Sequence, residues 1–320
     1  MIDAKGREIR YLRLSVTDRC NFRCTYCMSE NEPVWLPKAG LLAYEEILSA
    51  VKVLARDLGV SKIRVTGGEP LLRRGVVEFI GELSRVPELA EVTLTTNGAL
   101  FAPAAEALRR ARVRRINFSL DTLRRDRFRA ITGVDGLDQV LEGIEAARSA
   151  HFSPIKLNVV VLEETIDEAP DFVAYGIERG IEVRFIERLP GCGVQTHGAF
   201  VSNAEVERRL ASRFHLAPIA TTDGASGPAI RFEVNGGRAV CGFISPVSRP
   251  FCSGCNRLRL RSDGRLVPCL RGRTHYDLMP WIRPRLDAPG LAAAVRAVIA
   301  ADPKEDASTG HAPPMSILGG

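Results

Sequence analysis

Between residues 10 and 190 the chain keeps switching between two hydrophobic periods, and few folds can absorb such a pattern. Short β-rich runs at 11–16, 63–66, 92–96, 116–120, 156–161 and 183–187 alternate with stretches at 44–58, 76–85, 104–112, 137–150 and 167–179. In the latter, apolar residues recur near helical spacing. Gly59 and Gly180 are placed to end two of those helices. Strands that return about every 30 residues with helices between them imply βαβ units and a parallel sheet. Right-handed crossovers then curl all the units one way. The pattern predicts an α/β fold, either an open, partial β/α barrel or a doubly wound sheet.

After about residue 200 the style changes, so the chain divides into 1–200 and 201–320. The later part predicts a helix at 203–214 and a hairpin over 230–244 that turns at Asn235-Gly236-Gly237. A second hairpin pairs 258–260 with 265–267 across Asp263-Gly264, and a last helix covers 291–301. No run approaches the roughly 18 apolar residues of a membrane helix. Residues 1–10 show no apolar signal core. A cytoplasmic protein is therefore expected, and no membrane partner.

The eight cysteines carry the chemistry. In a cytosolic chain, clustered cysteines serve more often as metal or redox groups than as disulfides. Cys20, Cys24 and Cys27 fall within eight residues, directly after the first strand, where β/α folds place their chemistry. Cys252, Cys255 and Cys269 form a second triplet; Cys192 and Cys241 stand alone and read as small buried hydrophobes. Three thiolates can bind three irons of a [4Fe–4S] cube and leave the fourth open to a ligand. Zinc with a fourth ligand from elsewhere is the competing reading, with His275 or His215 available to the second triplet.

Around the triplets two further features stand out. Thr66-Gly67-Gly68-Glu69-Pro70 follows the second strand, and its glycines would let backbone approach a ligand. Arg257, Arg259 and Arg261 alternate, which places them on one face of a strand. Guanidiniums in a row repel unless an anion joins them. The net charge of +6 fits a polyphosphate, nucleic acid or an acidic membrane without choosing among them. Aromatics make up only 6% and none interrupts the arginine run, which argues against a single-strand nucleic-acid binder.

Cys-x3-Cys-x2-Cys with Tyr26 before the last cysteine resembles the signature of the radical S-adenosylmethionine superfamily. The resemblance implies a partial (β/α)6 TIM-like barrel with a C-terminal hairpin and helix extension carrying a second Fe–S site. It implies a [4Fe–4S] cluster on Cys20, Cys24 and Cys27, with S-adenosylmethionine met by Tyr26, Gly68 and Ser119. Cleavage would release a 5′-deoxyadenosyl radical.

The second triplet followed by Asn256-Arg257-Leu258-Arg259, the segment Gly242-Phe243-Ile244-Ser245-Pro246-Val247 and the terminal Gly319-Gly320 are similar to the GTP 3′,8-cyclase family. That likeness runs from about residue 9 to 320 and includes Arg13 to Cys20. It implies a second [4Fe–4S] cluster on Cys252, Cys255 and Cys269, with GTP held by Arg13, Arg64, Thr95, Lys156, Arg257, Leu258 and Arg259. Arg257, Arg259, Gly319 and Gly320 would serve turnover. The radical would take hydrogen from ribose C3′, and the carbon radical would add to purine C8. A flavodoxin- or ferredoxin-like electron donor and a homodimer are the expected protein partners. The family often carries Met where Leu189 stands, and a peptide or carbohydrate maturase is the alternative activity.

Overall fold

Leu12 and Leu14 are fully buried beside partly buried Tyr11 and Arg13, the alternation of a strand with one face in the core and one facing a cavity. The same logic sets the whole sheet. The structure, a computed structural model, describes residues 1–28, 35–189, 198–220, 227–272 and 274–301. Gly319, Gly320 and Cys192 lie outside the described residues.

The first half runs β1 (Tyr11–Ser15), α1 (Tyr44–Leu58), β2 (Lys62–Thr66), α2 (Val76–Leu83), β3 (Glu91–Thr96), α3 (Ala105–Arg110) and β4 (Ile116–Ser119). It continues with α4 (Arg125–Thr132), α5 (Leu137–Ser149), β5 (Ile155–Val161), α6 (Ala169–Arg179) and β6 (Glu182–Glu187). Then come α7 (Asn203–Ala211), β7 (Leu216–Pro218), β8 (Ile230–Val234), β9 (Ala239–Ile244), β10 (Arg257–Leu260), β11 (Arg265–Val267), β12 (Tyr276–Asp277), α8 (Met279–Ile282) and α9 (Ala288–Ala300).

All six expected strands form, as do the five helices between them and both hairpins. Gly59 and Gly180 end α1 and α6 with φ of 74° and 67°, the left-handed conformation that glycine adopts without strain. Periodicity missed α4, since four of its eight residues are charged and only Phe128, Ile131 and Thr132 are buried.

The strand order is β12-β11-β10-β1-β2-β3-β4-β5-β6-β9-β8-β7. Strands β1 to β6 are parallel, β10 joins β1 in parallel, and β9 joins β6 in parallel. The later strands thus extend both edges of the first sheet, which stays unclosed: a partial barrel. Leu, Val, Ile and Phe side chains pack between the sheet's outer face and the helices, with Phe79, Phe101, Phe118, Phe172 and Phe185 almost fully buried. Phe118 meets Phe101 edge-to-face with ring centroids 5.0 Å apart. Emptying its place would cost about 3–5 kcal/mol. Among the described residues no helix is long and apolar enough to cross a membrane.

Candidate active site between two cysteine triplets

The first cysteine loop leaves β1 and is gripped from three sides. The Gly-Gly turn after β2 donates to it: Gly68 N to Thr17 O at 2.8 Å and Glu69 N to Arg19 O at 2.8 Å. The carbonyl end of α4 accepts from Arg23 N at 2.7 Å and Thr25 N at 3.0 Å. Asn97, after β3, donates to Asn21 Oδ1 at 2.8 Å. The two glycines are needed for this docking. A Cβ on Gly68 would lie 2.3 Å from Arg19 O, and one on Gly67 2.5 Å from Thr17 O. Close backbone approach, expected toward a ligand, is here made by the loop that carries the cysteines. Gly67 and Gly68 also line the cavity next to it.

Glu69 is fully buried and ties three segments together. Its carboxylate accepts from Leu71 N at 3.0 Å, Thr96 Oγ1 at 2.9 Å and Asn97 N at 2.7 Å. Burial lifts it to about 7, against the pull of those hydrogen bonds. Across the loop, the Tyr26 hydroxyl donates to Asp121 Oδ2 at 2.6 Å, and Asp121 Oδ1 accepts from Val160 N at 2.7 Å. Burial raises Asp121 to about 6 despite both donors.

The second triplet sits beside β10. Asn256 O accepts from Arg10 N and Tyr11 N, which seats the cysteine turn against β1. Cys252, Cys255 and Cys269 open on one small cavity together with Arg257, Leu258 and Arg259. Arg257 lies over the Phe251 ring at 5.2 Å.

Inside the barrel a larger cavity of about 320 Å³ joins the parts. Cys20, Cys24, Cys27, Tyr26, Gly68 and Ser119 line it together with Arg13, Arg64, Thr95, Lys156, Arg257 and Arg259. Arg257, Arg259, Leu189, Pro246, Phe251 and Leu270 border both cavities, so the cavities of the two triplets adjoin across these residues.

Strand register explains the cationic wall. Arg259, Arg13 and Arg64 pair in one row across β10, β1 and β2, while Thr95, Asn117 and Lys156 form a row across β3, β4 and β5. Among the described residues, nine Arg or Lys side chains line the cavity against one carboxylate, Glu187. The Nε groups of Arg13, Arg64, Arg257 and Arg259 are buried with no hydrogen-bond partner among the described residues. Buried donors left unpaired are expensive, and a polyanion would satisfy them. Burial, then Arg259, pushes Arg13 down to about 9; burial, then Arg257, pushes Arg259 to about 10. Both remain cations at neutral pH. Burial, then Arg184, brings Lys156 down to about 7, although Glu182 Oε2 stands 3.5 Å away.

The donor set fits iron. Burial pushes the Cys20 thiol up to about 11 and Cys24 well above its ordinary value, so these thiols ionise only if a cation takes up the charge. Among the described residues no three His, Cys, Asp or Glu side chains converge as ligands of one ion. A cube asks instead that each thiolate take its own iron. Arg261 departs from expectation. It lies past the end of β10, where Asp263 pairs with it at 2.7 Å and His275 Nδ1 lies 2.9 Å away, so neither side chain borders either cavity.

A profile described as Radical SAM superfamily matches residues 14–175, and one described as Molybdenum Cofactor Synthesis C matches 181–307. A GTP 3′,8-cyclase of Ectopseudomonas mendocina is 45% identical over 287 residues, 88% of this chain and 86% of its own length. Another from Thermodesulfovibrio yellowstonii is 40% identical over 325 residues, covering 100% of both chains. The chain belongs to the GTP 3′,8-cyclase family. The fold is shared with SuiB of Streptococcus suis, solved with S-adenosylmethionine, at a TM-score of 0.63 and 15% identity over 91% of this chain and 68% of that one. As a radical S-adenosylmethionine enzyme, this GTP 3′,8-cyclase relative uses that cofactor and an iron–sulfur cluster.

Sequence reasoning missed several residues that line the cavity of this cyclase-family barrel. Arg184 is buried with Nη2 unpartnered among the described residues, and Asn117, Asn158, Lys62 and Tyr11 line the same cavity. Each reads along the chain as one polar position in an otherwise ordinary strand. Alternation on β1 and β2 was the available signal, since Tyr11, Arg13, Lys62 and Arg64 share the inner face.

Proposed function

We propose that this chain is a radical enzyme that joins ribose C3′ to purine C8 of GTP, the first step of molybdenum cofactor biosynthesis. The observation that carries this reading is a pair of adjoining cavities, one lined by each cysteine triplet, that share Arg257 and Arg259 and whose Arg13, Arg64, Arg257 and Arg259 Nε groups are buried without a partner among the described residues. Cys20, Cys24 and Cys27 would hold one [4Fe–4S] cluster, and Cys252, Cys255 and Cys269 a second. In this division residues 1–200 carry the radical cofactor and 201–320 the second site. When bound, the first cluster and S-adenosylmethionine supply a primary carbon radical that takes hydrogen from the nucleotide.

The chain's own residues bind and aim. Tyr26, Gly68 and Ser119 face the cofactor. Arg13, Arg64, Lys156, Arg257 and Arg259 replace the triphosphate's lost hydration, Thr95 adds a hydroxyl, and Leu258 contributes backbone. Carbon–carbon bond formation needs the two reacting carbons held at near-attack distance, and a fixed ring of cations on rigid strands does that. Gly319 and Gly320 serve turnover, and a flavodoxin- or ferredoxin-like carrier delivers the electron; homodimer formation belongs to the same reading. A peptide substrate would leave the guanidinium wall unsatisfied, which favours the nucleotide.

The test uses reduced, anaerobic enzyme with S-adenosylmethionine and GTP deuterated at ribose C3′. Deuterium should appear in 5′-deoxyadenosine with GTP and not when ATP or UTP, deuterated at the same ribose carbon, replaces it. Unlabelled 5′-deoxyadenosine with every nucleotide would reject the assignment.

A further inference from the structure

The opening hairpin of the chain has no part in the reading so far, yet it stands against the second cysteine triplet. Ile2 bridges Glu8 in antiparallel fashion, and Asp3, Lys5, Arg7 and Ile9 line the same small cavity as Cys252, Cys255 and Cys269. Arg7 Nη1 donates to Cys252 O at 2.8 Å, across 245 residues of sequence. Its Nε and Nη2 both reach Asp3 Oδ2 at 2.6 Å. Asp3 is fixed in turn by Lys5 N at 3.0 Å and Arg7 N at 2.8 Å. Both side chains are largely shielded, at 18% and 5% exposed. Burial alone would lower the Arg7 guanidinium. Asp3, and after it the charges of Cys255 and Cys269, hold it above its ordinary value.

We infer that residues 1–10 wall the second cysteine site and that Arg7, oriented by Asp3, is a positioning residue that sets the reduction potential of the cluster held there. This rests on the reading of that triplet as a cluster site. Reduction adds one negative charge to a cluster, so a nearby cation makes reduction easier and a nearby anion makes it harder. Screening by water is weak where both partners are shielded. The two members of the pair therefore act with opposite sign: Arg7 raises the potential and Asp3 lowers it. Arg7 also pins the Cys252 carbonyl, which fixes the turn from Cys252 to Cys255.

The test is a redox titration of the full chain carrying C20A, C24A and C27A, loaded with iron and sulfide anaerobically and reduced with dithionite. Only the second cluster then gives an electron-spin signal. Arg7→Gln should make its midpoint more negative, Asp3→Asn should make it more positive, and Arg7→Lys should restore most of the Arg7 effect. If Arg7→Gln does not retain iron, Asp3→Asn alone decides, and its midpoint must rise. Unchanged midpoints, or shifts of the same sign in both variants, overturn the inference, because mere loosening of the hairpin would move both the same way. Absence of iron from the C20A/C24A/C27A parent instead removes the second-cluster reading itself, a separate outcome.

Discussion

Lys156 offers a sharp test of the cationic cavity. Burial, then Arg184, brings its ammonium down to about 7, so in the empty site roughly half the lysines are neutral at that pH. A triphosphate beside it would return the pKa toward the ordinary lysine range. The sign follows from linkage: affinity that depends on the charged form is present below pH 7 and is lost as pH rises through the free-state value. From pH 7 to 8.5 the charged fraction falls from about one half to about 3%, so affinity for GTP should drop roughly 16-fold, or about 1.6 kcal/mol. Lys156→Met should weaken binding at pH 7 by about 1.5–3 kcal/mol, the worth of a charged hydrogen bond, and should flatten the pH dependence above 7. Glu182 keeps Arg184 as a partner at 2.6 Å and Arg231 at 3.4 Å in that variant, so no buried carboxylate is stranded. Anaerobic titration calorimetry in two buffers of different ionisation enthalpy measures both the affinity and the proton uptake. Affinity that stays constant from pH 7 to 8.5, or a slope that survives in Lys156→Met, would refute the reasoning.

Other perturbations have equally definite outcomes. Arg259→Gln relieves repulsion with Arg13 and Arg257, so the melting temperature without nucleotide should rise while stabilisation by GTP shrinks; a lower melting temperature in the variant would count against a strained cationic wall. Gly68→Ala forces a Cβ to 2.3 Å from Arg19 O, so the first cysteine loop should shift and iron content should fall by about half, as read by iron counting; full iron would contradict the docking role. Tyr26→Phe removes the 2.6 Å bond to Asp121 and should destabilise the loop by about 1–2 kcal/mol in chemical denaturation, with unchanged stability as the contrary result.

The parallel β/α sheet was legible because each inner strand writes its own burial into a few residues, Leu12 and Leu14 against Tyr11 and Arg13, Ile63 and Val65 against Lys62 and Arg64, whereas its curl into a partial barrel came only with the family resemblance. The cysteine triplets were legible because their spacing is local. What stayed hidden depends on pairing across long sequence distances. Nothing near residue 256 announces that its carbonyl will receive Arg10 N and Tyr11 N, yet that contact places β10 beside β1 and completes the row of Arg259, Arg13 and Arg64. Arg184 and Glu69 were hidden for a related reason, since their importance lies in what other strands leave unpaired around them. The Gly67-Gly68 pair gave a true signal of close approach, but chain periodicity does not say that the approaching partner is Thr17 to Arg19.

The account depends above all on each triplet holding its own cube. Anaerobic iron and sulfide analysis of three proteins tests this directly: the unaltered chain, C20A/C24A/C27A, and C252A/C255A/C269A. About eight irons in the first and about four in each of the others is the predicted result. Zinc in place of iron, or the loss of all iron in both variants, would contradict it.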